Sequence, residues 1–135
     1  MADRKALARQ SLSGTSIGDA FGDSFFGETD AMLQHITDRI VPESRWEFTD
    51  DTVMSIAVLE QLENGGSIEQ DALMRQFITN EKLDKNRGYG ATVRRILRET
   101  DQGGNWKYLA SAAFDGMGSM GNGAAMRELN WRLLV

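Results

Sequence analysis

At Thr49-Asp50-Asp51 a hydroxyl and two carboxylates stand on consecutive residues just ahead of an apolar run. Hard oxygen donors of this kind suit a divalent cation such as Mg²⁺ or Mn²⁺. Consecutive side chains of a regular helix diverge, so convergence on one ion requires the irregular geometry of a helix start. The same residues have an ordinary structural use as well. Thr49 can accept from free N–H groups, and aspartate favours the positive end of the helix dipole. Composition alone favours that capping use. A second group lies at Gly116-Met117-Gly118-Ser119-Met120-Gly121-Asn122-Gly123, followed by Ala124-Ala125-Met126-Arg127. Glycines let backbone N–H groups approach a ligand, and a helix beginning near Asn122 would aim its positive end at a phosphate. Ser119 and Asn122 would add side-chain hydrogen bonds. No Gly-Lys-Ser/Thr follows and no strand precedes, so the stretch is neither a Walker A loop nor a dinucleotide fingerprint, and standing alone it reads by default as a flexible loop.

Helices must position both groups. Proline occurs once, at Pro42, and period-2 runs of β-branched residues are missing, whereas several segments repeat apolar residues at three and four. The expected fold class is all-α. The first helix is expected over Arg4 to about Phe26, where Gly14, Gly18 and Gly22 recur on one face. Each interior glycine costs a helix about 1 kcal/mol relative to alanine, so that face is expected to meet a close helix crossing or a ligand. A polar connector, loop or short helix, fills Thr29 to Glu47 and holds the lone His35, read as a surface residue. Thr49 then introduces a buried helix ending at Asn64-Gly65-Gly66. Further helices are expected after Ser67, over Tyr89 to Glu99, and over Trp106 to Phe114.

The chain is long enough at 135 residues for one ordinary domain. Fifteen Lys plus Arg against twenty Asp plus Glu give a net charge of -5, the wrong sign for holding nucleic acid through its phosphates. The lack of cysteine removes disulfides, thiolate metal sites and thiol nucleophiles together. No apolar stretch has the length of a membrane span, and no apolar region follows the charged N-terminus. A soluble, cytoplasmic protein is expected.

Four blocks in order resemble one family, the ADP-ribosylglycohydrolases. They are Gly18-Asp19-Ala20-Phe21-Gly22, Phe48-Thr49-Asp50-Asp51-Thr52, Arg87-Gly88-Tyr89-Gly90, and Gly118-Ser119-Met120-Gly121-Asn122-Gly123-Ala124-Ala125-Met126-Arg127. The resemblance implies an all-helical domain around two adjacent Mg²⁺ or Mn²⁺ ions, hydrolysing the glycosidic bond between ADP-ribose and a protein side chain or small acceptor. It implies Thr49, Asp50 and Asp51 as metal ligands. It implies that Gly118, Ser119, Met120, Gly121 and Asn122 cradle ADP-ribose, with Gly90 at the mouth of the same cleft. Where the family often has an aromatic residue this chain has Met120, which weakens a stacking contact. Family members also use an acid shortly after the first-helix motif, and Glu28 is the candidate catalytic residue. Asp19 and Asp23 are read as structural or solvated acids.

Residues 1–127 are thus expected to be the N-terminal part of such a domain, and 128–135 a tail that does not resemble it. The tail points to a truncated or frame-shifted product without the second Asp-rich motif that supplies the remaining ligands. One ion at most is expected to be held, and hydrolysis to be impaired. The alternatives are a fragment that binds ADP-ribose or a related nucleotide without cleaving it, and one that forms a homo-oligomer to cover exposed core faces.

Overall fold

The computed structural model describes residues 3–43, 45–119 and 121–127. Met120 and the 128–135 tail therefore lie outside the described residues. The described chain is all helical, as expected. Its order is α1 Arg4–Asp23, α2 Thr29–Asp38, α3 Asp50–Gly65, α4 Gln70–Leu83, α5 Ala91–Asp101 and α6 Trp106–Ser111, followed by a 3-10 turn over Ala113–Gly116. No helix among the described residues is long and apolar enough to cross a membrane.

The third helix is the axis of the fold. Seven of its residues, Thr52, Met54, Ser55, Ala57, Val58, Leu59 and Leu62, are buried. That is the pattern of a helix covered on most sides rather than along one stripe. It stops at Gly66, whose φ of +68° is the left-handed conformation that glycine adopts cheaply and whose N–H donates to Leu62 O at 2.9 Å. Met54, Ala57, Val58 and Leu62 pack with Phe77 of α4, with Tyr89, with Leu97 of α5 and with Met126. Packing then follows chain order: α1 lies on α3, α3 on α4, α4 on α5 and α5 on α6. None of the residues of α2 is buried, and its Leu33 and Ile36 are more than half exposed.

Three helix starts, those of α1, α4 and α6, are capped by a carboxylate or an amide. Asp3 accepts from Lys5 N–H at 3.0 Å and starts α1. Ser67 does not start α4; Glu69 does, accepting from the N–H groups of Asp71 and Ala72 at 3.0 and 2.7 Å. Asn105 caps α6 in the same way. Tyr89 belongs to the core ahead of α5, which begins one residue after Gly90. The expected last helix ends early, because Phe114 and Asp115 both take φ of 55° and leave the right-handed helical region.

The glycine face of α1 separates the two alternatives expected for it. A Cβ built at Gly14, Gly18 or Gly22 meets nothing within 4 Å, so no helix among the described residues crosses there. The first helix docks on α3 through other positions: Ala8 is fully buried, and Arg9 pairs with Glu63 at 2.8 Å. Gly18 and Gly22 instead line an open cleft. On the far side of α3 an apolar cavity of about 540 Å³ lies between α3, α4, α5 and α6, bordered by Met54, Leu73, Phe77, Ile96 and Trp106.

Candidate functional site

The cleft forms where α3 starts. Thr49 has an extended backbone and its Oγ1 accepts from Asp51 N–H at 3.2 Å, so the capping use of this threonine is realised. A second cap arrives from α1. Oδ2 of Asp19 accepts from Thr49 N–H at 2.8 Å, from Thr52 N–H at 3.2 Å and from the Thr52 hydroxyl at 2.6 Å. Its Oδ1 accepts from the Thr49 hydroxyl at 2.7 Å. Asp19 is the structural acid expected from its sequence context, and the structure it supports is the wall of the cleft. From the other side Asp50 N–H donates to Arg87 O at 2.5 Å. The Arg87 guanidinium is fixed in turn by Asp84 at 2.7 Å, by Phe48 O at 3.0 Å and by the face of the Phe48 ring at 4.4 Å.

These ties hold the two carboxylates at an irregular, half-buried helix start. Burial, with Asp51 beside it, pushes the Asp50 carboxyl up to about 6. Burial also raises Asp51, against the hydrogen bond that Asn122 Nδ2 donates to its Oδ2 at 2.6 Å. Arg127 favours ionisation of both acids, while its own burial holds the guanidinium below its usual range. It lies over the Phe77 ring at 5.6 Å and against Met54 Sδ at 3.8 Å. Adjacent acids in a partly desolvated cleft, answered by one distant guanidinium and one amide, favour a ligand that brings positive charge.

The other expected site residues are distributed unevenly. Of the glycine-rich loop, Asn122 lines the cleft together with Thr49, Asp50 and Asp51. Its carbonyl accepts from Met126 N–H at 3.0 Å as the chain becomes helical again at Ala125. Gly118 takes φ of +81°, and Ser119 Oγ accepts from Gly121 N–H at 3.0 Å, a local turn that leaves the serine proton available. Gly118, Ser119 and Gly121 are exposed. Gly90 is exposed as well, at the N-cap of α5. Glu28 stands exposed at the N-cap of α2 and is not among the described residues lining the cleft, where Asp23 and Phe26 appear. Met120 is outside the described residues.

Asp19, Gly88 and Arg127 stand in the four sequence blocks but are given no binding role there; Asp19 and Gly88 line the cleft, and Arg127 acts on its two acids through charge. Gly88 has φ of +78°, and a Cβ there would sit 3.5 Å from Asp50 Oδ1 and 3.6 Å from Thr49 Cβ. The neighbours tolerate that contact; the backbone does not. Gly88→Ala is expected to destabilise the chain by about 1–2 kcal/mol in urea melts. Gly90→Ala, at φ of -62° with open space around it, should stay within about 0.5 kcal/mol of wild type. Equal effects at the two positions would contradict the role assigned to Gly88.

The all-helical fold is what the resemblance of its sequence blocks implied. A family model described as ADP-ribosylglycohydrolase matches residues 1–129, and the chain belongs to that family. Similar proteins include the ADP-ribosylhydrolase ARH3 of Xenopus tropicalis, 33% identical over 129 residues, covering 88% of this chain and 37% of that protein. The ARH3 of Danio rerio is 30% identical over 134 residues, with 93% and 36% covered. The ARH3 of Homo sapiens is 33% identical over 134 residues, with 88% and 37% covered. The chain spans a little over a third of the length of these relatives.

Proposed function

We propose that this chain carries part of a cytoplasmic ADP-ribosyl hydrolase site, in which Thr49, Asp50 and Asp51 hold a Mg²⁺ or Mn²⁺ ion and the loop at Gly118, Ser119, Met120, Gly121 and Asn122 receives ADP-ribose, with Gly90 at the cleft mouth. The observation that carries this reading is the pair of half-buried carboxylates at the start of α3, both raised by burial, which a backbone hydrogen bond at Asp50, Asn122 at Asp51 and the charge of Arg127 only partly offset. The donor set fits the ion: a hydroxyl and two carboxylates are hard oxygen ligands. Among the described residues no three His, Cys, Asp or Glu side chains stand in an arrangement that would hold a metal on their own. The ion therefore draws on the Thr49 hydroxyl and on water, and one ion is the expected load.

When bound, a divalent cation supplies Lewis acidity and neutralises charge near the ribose. The chain's own residues do the rest. Asn122 holds Asp51 in place through the 2.6 Å bond, and Arg127 lends both acids its distant positive charge. The Ser119 hydroxyl, already accepting from Gly121 N–H, has its proton free for a phosphate oxygen. The departing sugar carbon of a glycosidic bond becomes oxocarbenium-like, and cleavage is helped by an acid beside it. Glu28, the expected acid, is not among the described residues lining the cleft, and hydrolysis is read as impaired because the second metal-ligand motif implied by the resemblance does not occur in this sequence. The same observation favours a second reading, in which ADP-ribose is bound and not cleaved.

The test is hydrolysis of an ADP-ribosylated peptide with Mg²⁺ or Mn²⁺, beside Asp50→Ala and Asp51→Ala, with calorimetric titration of ADP-ribose in parallel. Slow, cation-dependent release that falls to background in both variants is the expected result. Binding without release selects the second reading. Release that survives both substitutions, or needs no cation, would refute the site.

A further inference from the structure

Resting on the cation reading above, we propose that Asp19 is a positioning residue: it fixes the direction of the Thr49 hydroxyl proton and thereby keeps one lone pair of Thr49 Oγ1 free for the ion. A hydroxyl has one proton and two lone pairs. Thr49 Oγ1 lies 2.7 Å from Asp19 Oδ1, a carboxylate oxygen that can only accept, so the proton lies on that side. One lone pair takes Asp51 N–H at 3.2 Å. The other remains for the cleft, which Thr49 lines. A proton turned the opposite way would point at a cation and oppose its binding.

The Asp19 carboxylate cannot swivel out of this task. Its Oδ2 is claimed by three donors, Thr49 N–H, Thr52 N–H and the Thr52 hydroxyl. Thr52 is only 2% exposed, so its hydroxyl has no water to turn to. These bonds also dictate what an amide would do at position 19. In Asp19→Asn the amide oxygen is the one acceptor, and the three donors claim it. The NH₂ group must then face Thr49 Oγ1 and donate to it, which reverses the hydroxyl and sends its proton toward the cleft. The fold keeps three of four bonds while the polarity of one ligand inverts.

The experiment is Mn²⁺ binding followed by electron paramagnetic resonance, with thermal melts of every variant. Asp19→Asn is expected to melt near wild type and to bind Mn²⁺ about tenfold more weakly, the scale at which partners of metal ligands act. Thr52→Val removes a different Asp19 bond and leaves the Thr49 hydroxyl alone; its Mn²⁺ affinity is expected to match wild type even if it melts lower. In a Thr49→Val background, with no hydroxyl to orient, Asp19→Asn should change affinity less than twofold. An equal loss in both backgrounds means that Asp19 acts by charge or by direct ligation, and overturns the proposal. Equal losses in Asp19→Asn and Thr52→Val mean that it merely holds the helix, and overturn it too. Wild type that binds no Mn²⁺ removes the cation reading itself, whereas normal wild-type binding with unchanged Asp19→Asn affinity removes this proposal alone.

Discussion

Asp50→Asn is expected to raise the melting temperature at neutral pH in cation-free buffer, and to abolish whatever stabilisation Mn²⁺ gives the wild type. The Asp50 carboxyl is pushed from its ordinary 3.8 to about 6 in the folded chain, by burial first and then by Asp51, Asp19 and the buried setting that Arg127 only partly offsets. Because the folded value is the higher one, the unfolded chain releases this proton first as pH rises. Stability contributed by the group is therefore lost between about pH 4 and pH 6, and above that window the fold carries an ionised, partly desolvated acid. With the carboxylate still partly screened by water, the penalty comes to about 1 kcal/mol, a few degrees of melting temperature. Melts near pH 4 and near pH 7, for wild type and Asp50→Asn, measure it. A variant that is no more stable than wild type near pH 7 would contradict the buried-charge account of the site.

The second large effect is at Asp19. Asp19→Ala deletes all four acceptor contacts at once and leaves the buried Thr52 hydroxyl without a partner. Removing an ionised acceptor from buried donors, together with the loss of a helix cap, is expected to cost on the order of 3 kcal/mol. Urea denaturation of Asp19→Ala beside Asp19→Asn checks the number, since the amide keeps most of the contacts that the methyl group loses. A cost below about 1 kcal/mol would mean that water replaces the carboxylate and that α1 is not what shapes the start of α3.

What the sequence displays well is chemistry confined to one stretch of chain. Thr49 before two aspartates and an apolar run, and the glycines that end the same helix, announce α3 because cap, dipole and left-handed stop all lie within its own residues. The oxygen donors at its start are visible for the same reason. Long-range partners leave no such mark. Nothing near Asp19 says that its acceptors will be filled from thirty residues downstream, and nothing near Arg127 says that it will be buried between Phe77 and two acids. The glycines of α1 mislead in an instructive way: spacing shows that a face is bare, but a packed crossing and an open cleft wall demand the same bareness. Glu28 shows the converse problem. Its distance along the chain from Gly18-Asp19 is a little longer than the family's common pattern; α1 ends at Asp23 and the turn after it carries Glu28 to the start of α2, with Phe26 on the cleft.

The bonds that make the cleft also fix when it can exist. Asp19 and Thr49 are 30 residues apart, and Asn122 and Asp51 are 71 apart. Closing loops of that length costs chain entropy before any contact returns it, and each doubling of length adds only about 0.6 kcal/mol. The two closures are therefore comparable demands, and both must be met. A chain with α3, α4 and α5 already packed would have a core and no cleft. Occupancy of the cleft is accordingly a property of the completed fold alone, and a ligand there draws partly opened chains toward completion by mass action.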